Sequence, residues 1–507
     1  MASRLATMAS AVVLGVDGHG VSVEVHSGQG LPAFAIVGLP DTSCREARDR
    51  VRAAILSSGL KWPPERVTVN LAPSHVRKTG AGLDLPIALC FLAATGQLEA
   101  EQLAGVGAIG ELGLDGSLRP VAGLVSMADA VVCTDLVVPE KNAEHAAIVR
   151  PGSVRAAANL RQVVDGLTGE GPLPPLVDPP AEPATPPQRK ELAEVKGQPM
   201  ARLALEIAAA GGHHLLMVGP PGSGKTMVAD RLVGLLPSLE PADALTATKI
   251  HSVAGVPLPE GGLVRWPPYR NPHHGASVVA LIGGGSTAIR PGEISLSHAG
   301  VLFLDELGEF PVTVLEALRQ PIEQGVVRIS RAVASALMPA RFQLVAAMNP
   351  CPCGEGATHG QCRCSDVSRS RYARRLSGPL LDRFDLRIEV APPDHRSLLE
   401  ASVEESTAVV AARVARVRVL ARERGVRANA ELSAEQLERV APLAPSGRAL
   451  VERALEAGEL SGRGLRRVRT VARTVADLQD GRAELDADAI CVALSMRAMP
   501  LSVLGSP

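Results

Sequence analysis

The feature that most constrains this chain is a glycine-rich turn set between two periodic segments. Leu215-Leu216-Met217-Val218 has the pattern of a buried strand, Gly219-Pro220-Pro221-Gly222-Ser223-Gly224-Lys225-Thr226 follows at once, and a helical pattern opens at Lys225. Strand, loop and helix in that order make a phosphate loop. Its glycines leave backbone N–H groups free to wrap polyphosphate oxygens, and the helix N-terminus adds positive dipole. Lys225 then reaches the outer phosphates and Thr226 offers a hydroxyl to magnesium. The expected cofactors are ATP and magnesium.

A phosphate loop needs a second strand that ends in acids. Val301-Leu302-Phe303-Leu304 supplies four apolar residues followed by Asp305 and Glu306. Asp305 is expected in the magnesium shell, and Glu306 as the general base that polarises the attacking water. A further strand, Phe342 to Ala347, runs into Met348-Asn349-Pro350. Asn349 is placed to orient that water, although an Asn before proline also caps turns.

At 507 residues the chain predicts two to four domains. Residues 172–187 read Pro-Leu-Pro-Pro-Leu-Val-Asp-Pro-Pro-Ala-Glu-Pro-Ala-Thr-Pro-Pro, which favours extended backbone over a packed core. The expected organisation is an α/β domain over 1–171, a linker over 172–189, an α/β nucleotide domain over 190–394 and helices over 395–507. Upstream, Val67 to Leu71 and Leu136 to Pro139 read as strands, Arg45 to Ser57 and Leu83 to Ala94 as helices. Downstream, Lys190 to Ala210 is an expected helix, and strands alternating with helices imply a parallel sheet. Helical spacing recurs over 397–425, 433–441, 446–457, 461–478 and 486–498.

A net charge of −1 gives no global drive toward nucleic acid, so any DNA-binding surface must be local. No apolar run reaches the ~20 residues that span a bilayer. Met8 to Val16 runs straight into the alternating Val21, Val23 and Val25, which predicts a first strand rather than a signal peptide. The expected compartment is the cytoplasm, with no membrane partner.

Of eight cysteines, four cluster as Cys351-Pro352-Cys353 and Cys362-Arg363-Cys364. In a reducing compartment such a cluster predicts structural zinc before a disulfide, with His359 as a substitute ligand and redox-active thiols as the alternative. Four thiolates leave no open position for water, so this metal would not be catalytic. Adjacent His273 and His274 are expected to diverge, which argues for loop or subunit packing against a metal site.

Together these stretches resemble the AAA+ ATPases, in particular the magnesium-chelatase-like ComM/YifB family. The resemblance rests on Arg270-Asn271-Pro272-His273-His274, Gly283-Gly284-Gly285, Arg290 to Leu296, Leu304-Asp305-Glu306-Leu307 and Leu376 to Asp385. It implies Walker A at Lys225 and Thr226, Walker B at Asp305 and Glu306, and a first sensor at Asn349. It implies that Arg383 is an arginine finger entering a neighbour's ATP site, and that the chain forms a ring, expected as a homo-hexamer. It also implies that Arg463 is a second sensor contacting γ-phosphate in its own chain. Taken alone, Arg383 reads as an arginine paired with Asp382 or Asp385, and Arg466, Arg467, Arg469 and Arg473 as a solvated helix face.

Lys225 and Asp305 are 80 positions apart, and the Gly/Pro-rich stretch between them is where the family carries hairpins facing the ring pore. Substrate contacts are expected around Arg265, Arg270 and Arg290. Gly110 to Leu124 and Val138-Pro139-Glu140-Lys141-Asn142 resemble the Lon protease proteolytic domain. Its serine position falls in Lys78-Thr79-Gly80-Ala81-Gly82-Leu83-Asp84, which has no serine, and its lysine position is Val125. No peptidase activity is expected. The resemblance implies an ATP-driven motor that remodels single-stranded or branched DNA, in branch migration during recombination or uptake of foreign DNA. The alternatives are the motor subunit of a metal chelatase and a protein-remodelling ring.

Overall fold

The computed structural model describes residues 4–181, 188–285, 289–330, 335–355, 362–393, 404–479 and 481–497. The amino-terminal sheet contains β1 (Arg4–Leu14), β2 (Asp17–Gly28), β3 (Ala33–Val37), β4 (Arg66–Ala72), β5 (Val106–Ala108), β6 (Asp135–Pro139) and β7 (Val154–Ala157). Their spatial order is β3-β4-β2-β1-β5-β6-β7. β1 and β2 pair antiparallel from Arg4↔Ser27 to Leu14↔Asp17, so the alternation read at Val21, Val23 and Val25 buries one face of β2. Helices α1 (Thr42–Ser57) and α2 (Asp84–Ala94) cover that face through Val51, Ile55, Leu85 and Leu89. Every residue of α2 is buried, which its apolar run from Leu85 to Ala94 allows and the pairing of Asp84 with Arg50 completes.

The proline-rich segment does not leave this domain at residue 172. The Ala156 N–H donates to Pro175 O at 3.0 Å and the Val177 N–H to Val154 O at 2.9 Å. Arg155 donates to Pro174 O at 3.0 Å. β7 is an edge strand with open backbone groups, and an extended proline-rich segment covers them. Residues 182–187 of the expected linker lie outside the described residues.

The central sheet is β8 (Leu215–Val218), β9 (Tyr269–Arg270), β10 (Val301–Leu304), β11 (Gln343–Met348) and β12 (Leu386–Glu389), in the order β9-β10-β11-β8-β12. All its pairings are parallel. β8, β10 and β11 are buried throughout, so side chains alternate between two apolar layers. Leu215, Met217, Phe303 and Val345 face one layer; Leu216, Val218, Leu302 and Leu344 face the other.

On the first face lie α4 (Pro199–Gly211) and α5 (Lys225–Leu235). α4 starts nine residues later than Lys190, because Gly197 is left-handed at φ 66° and Pro199 lacks an N–H, which a helix tolerates in its first turn. Ahead of it, Leu192–Glu194 forms one tight turn. The two sheets are joined where α3 (Leu124–Ala130) meets α6 (Pro241–Ala254) through Lys249 and Asp129 at 2.5 Å, where the Gly123 N–H donates to Ser252 O at 2.9 Å, and where Val16 is buried in the core of the second face.

The carboxyl-terminal helices are α7 (Thr407–Glu423), Ala434–Val440, Pro445–Glu456, α8 (Gly462–Gln479) and Ala487–Ser495. Residues 394–403, where the first was expected to begin, lie outside the described residues. Val410, Val414 and Val417 of α7 and Val468, Val471 and Val475 of α8 share the core of the first face. Of the α8 arginines, Arg466 is exposed as expected, but Arg467, Arg469 and Arg473 are not a solvated face. Arg469 donates to Leu437 O and Ala441 O at 3.1 and 3.0 Å, and Arg473 to Val440 O and Ala483 O at 3.1 and 3.0 Å. Carbonyls at a helix C-terminus have no partner within the helix, and these guanidinium groups supply one. Among the described residues, no helix is long and apolar enough to cross a membrane.

Candidate nucleotide site

Register places the chemistry. Val218 lies opposite Met348 and Leu304 opposite Ala346, so Gly219, Asn349 and Asp305 emerge together at the carboxyl ends of neighbouring parallel strands. Ligands of open α/β sheets bind at such an edge. Gly222 and Gly224 hold φ of 76° and 88°, and a Cβ added to either would meet nothing within 4 Å. The loop therefore opens onto free space at the N-terminus of α5.

Lys225 Nζ donates to Gly219 O at 2.9 Å and Pro220 O at 2.8 Å, with Asn349 Oδ1 at 3.4 Å. Burial lowers its pKa below the usual lysine value, against the charge of Asp305. The Thr226 hydroxyl donates to Asp305 Oδ2 at 2.8 Å. A hydroxyl and a carboxylate side by side beside an open phosphate cradle are the hard oxygen donors that suit magnesium, and the site fits ATP with that ion. Thr226 and Asp305 would hold it.

Glu306 follows in the left-handed region at φ 52°, a conformation costly for a residue with a Cβ. Its carboxylate meets His274 Nδ1 at 2.9 Å. The expectation that His273 and His274 diverge is incorrect: their ring centroids are 4.1 Å apart, and His274 also meets Phe310 edge-on. The turn after β9 folds the two rings together over the end of β10. Sequence reasoning missed His274 as a partner of Glu306, because 32 residues separate them. It also missed Gln198, whose side chain donates to Ser223 O at 3.1 Å and Ala391 O at 2.6 Å beneath the phosphate loop.

Arg270 is committed elsewhere than to substrate. Its guanidinium grips both oxygens of Glu293 at 2.6 and 2.8 Å, a bidentate pair that ties β9 to the segment after Arg290. Arg290 is exposed at the base of a hairpin that pairs Gly283↔Pro291. A second hairpin, Val326–Ser330 with Ser335–Pro339, carries no Asn-Gly or Asp-Gly turn signal and was not anticipated.

Arg383 stands far from its own phosphate loop. It precedes β12, whereas the loop follows β8, and the two strands run parallel with Leu215↔Leu386 and Val218↔Glu389. The length of a four-residue strand, about 13 Å, thus separates the two ends. Its partner is neither Asp382 nor Asp385 but Glu323, together with Pro379 O at 2.8 Å. Asp385 is taken by Arg467 of α8, which also donates to Arg383 O at 2.8 Å.

Arg463 is exposed one helical turn before Arg467, so it sits at the Arg383 end of the sheet. A same-chain contact with γ-phosphate, as expected for it, does not fit this placement. The reason is that Arg467 fastens the start of α8 to the amino-terminal ends of β8 and β12. A cavity of about 490 Å³ opens at the same end between Glu323, Arg341, Arg418 and Arg466.

Cys351, Cys353, Cys362 and Cys364 converge, with all four sulfurs within 4.8 Å of one another. They can hold a metal ion. His359 lies outside the described residues.

Comparison with known proteins covers most of the chain. Residues 191–398 match the family described as magnesium chelatase, subunit ChlI; residues 23–142 match subunit ChlI of Mg-chelatase; residues 404–497 match its C-terminal part. The competence protein ComM of Haemophilus influenzae is 43% identical over 504 residues, covering 98% of each chain. The uncharacterized protein YifB of Salmonella typhimurium is 42% identical over 481 residues, 94% of each chain. Its namesake in Escherichia coli is 42% identical over 470 residues, 92% of each.

Proposed function

We propose, from the premise that this chain belongs to the magnesium-chelatase-like ComM/YifB family of AAA+ proteins, that it is an ATP-hydrolysing ring motor that acts on DNA. The observation that carries the reading is the separation of Arg383 from the Lys225–Asp305–Glu306–Asn349 cluster. A guanidinium at the far end of the sheet serves no nucleotide of its own chain, and it suits one bound by a neighbour. Arg463 stands on the same face, and in this reading it too addresses the neighbour's nucleotide. The expected assembly is a homo-hexamer.

In the proposed reaction Lys225 leaves the loop carbonyls for the outer phosphates. Thr226 and Asp305 would hold magnesium, which would supply neutralisation of phosphate charge. Glu306 accepts the proton of the attacking water, and Asn349 holds that water by hydrogen bonding. The neighbour's Arg383 exchanges Glu323 for the transferring phosphoryl group, whose charge it offsets at the moment of transfer.

DNA is supported by the name of the competence relative and by two hairpins, at Gly283–Pro291 and Val326–Pro339, with Arg290 and Arg328 exposed on them. Branch migration or translocation in recombination or transformation is the form of work this implies. The family description favours a second reading, the motor of a metal-insertion complex, which would require a partner subunit carrying the metal site.

The test is ATP turnover of the full chain with branched DNA, single-stranded DNA or none, using Lys225→Ala and Glu306→Gln as controls. Stimulation that falls steeply with added salt supports phosphate contacts. Absence of stimulation by either DNA form overturns the DNA reading and leaves the chelatase reading in place.

A further inference from the structure

The loop after Asn349 packs against the phosphate loop, and the cysteine cluster folds that loop. Cys351 is buried two residues beyond Asn349, and the Gly354 N–H closes a turn onto Cys351 O at 3.0 Å. Gly354 has φ 89°, and a Cβ there would lie 2.5 Å from Pro221 Cδ and 2.6 Å from Pro221 Cγ. Only a residue without a side chain lets this turn rest on the second proline of the phosphate loop.

The sulfurs show what closes the turn. Cys351 and Cys353 Sγ are 3.3 Å apart, and Cys362 Sγ is 3.7 Å from each. A tetrahedral zinc ion with Zn–S bonds of about 2.3 Å requires sulfur separations of about 3.8 Å, whereas a disulfide requires about 2.05 Å. All eight cysteines are free thiols.

We propose that Cys351, Cys353, Cys362 and Cys364 hold one structural zinc ion, and that this zinc-closed turn braces Pro221 so that metal occupancy sets nucleotide affinity. The first half stands on the sulfur geometry alone; the second rests on the nucleotide reading of the phosphate loop. Four thiolates fill the tetrahedron, so the ion acts on the fold and not on substrate. Its influence passes through two contacts, Gly354 on Pro221 and Asn349 on Lys225.

The test uses the full chain purified without oxygen. Elemental analysis should find about one zinc per chain, and cobalt exchanged into the site should show thiolate-to-metal charge-transfer absorption. Cys353→Ser and Cys364→Ser, both at accessible positions, should retain less than about a tenth of that zinc. Chelator-stripped chain should bind a non-hydrolysable ATP analogue about tenfold more weakly and recover when zinc alone is returned.

Gly354→Val should keep its zinc and lose the same affinity, which separates the brace from the metal. Zinc below about a tenth per chain in the unmodified protein, or an iron–sulfur chromophore in its place, overturns the site. Equal nucleotide affinity in loaded and stripped chain overturns the brace alone. Zinc-loaded chain that binds no nucleotide overturns the ATP reading and the brace, while the zinc count still decides the site.

Discussion

The turns Lys78–Asp84 and Gly219–Lys225 each carry a lysine and left-handed glycine and lead into a helix, yet only one opens onto a site. In the first, the polar side chains of Lys78, Thr79 and Asp84 are all closed by their own domain. Lys78 is fully buried with its ammonium on Pro73 O, and the Gly80 N–H donates to Asp41 Oδ2 at 3.1 Å. Asp84 is gripped by Arg50 at 2.7 and 2.9 Å. In the second, the lysine is buried on two loop carbonyls under an open cradle, beside a hydroxyl that donates to a carboxylate whose other oxygen takes the Glu306 N–H of its own turn. A glycine turn becomes a phosphate site when the fold leaves its donors facing outward, and a scaffold when neighbouring side chains take them.

The largest test of that contrast lies outside both turns. Arg383→Ala should lower turnover by about a thousandfold with nucleotide affinity retained, because a finger acts on the transition state and not on bound ATP. Mixing Arg383→Ala chains with Lys225→Ala chains should restore part of the activity, since some interfaces then pair an intact loop with an intact Arg383. No restoration would place the finger in its own chain and break the ring argument.

Glu306→Gln should lower turnover by about a hundredfold, as loss of a general base does. Lys78→Met, made at the corresponding place in the other turn, should leave turnover within about twofold, since no reacting group is there. Loss of turnover in folded Lys78→Met protein would mean that the amino-terminal turn takes part in catalysis.

A third comparison uses acid. Burial raises Asp84 from its ordinary value to about 6, against the lowering effect of Arg50. A carboxyl whose folded pKa is raised binds its proton more tightly when folded. Its contribution is therefore complete below about 4 and is lost as pH rises through about 6. Denaturant unfolding of the full chain should show about 2 to 3 kcal/mol of this pH-dependent stability, and Asp84→Asn should flatten the slope. An unchanged slope in Asp84→Asn would assign it to other groups.

What the sequence made legible follows the same division. The phosphate loop, the acid pair and Asn349 are local patterns, each an apolar strand with its polar residue at the end, and strand periodicity fixes where such residues emerge. Contacts between distant segments carry no such signal. Arg270 was expected to meet substrate and instead holds Glu293; Arg383 pairs with Glu323, 60 residues away. Arg469 and Arg473 of α8 looked solvated because helical spacing cannot show that the carbonyls of the Ala434–Val440 helix end beside them. Docking of Pro174–Val177 along β7 was equally invisible, since composition announces extended backbone but not the edge it covers.

The smallest expected change in rate concerns His274, the partner of Glu306 that spacing could not reveal. Its Nδ1 lies 2.9 Å from one oxygen of Glu306, so that oxygen must exchange this contact before it accepts a proton from water. A hydrogen bond of this kind is worth about 1 kcal/mol, or about fivefold in rate. His274→Ala should therefore raise basal turnover by about fivefold, while nucleotide affinity stays constant. A fall in basal turnover would instead make His274 an aid to Glu306 during the reaction. The contrast between the two turns would then sharpen, because the open site would draw on the β9 segment for its chemistry, whereas the closed turn engages its neighbours for stability alone.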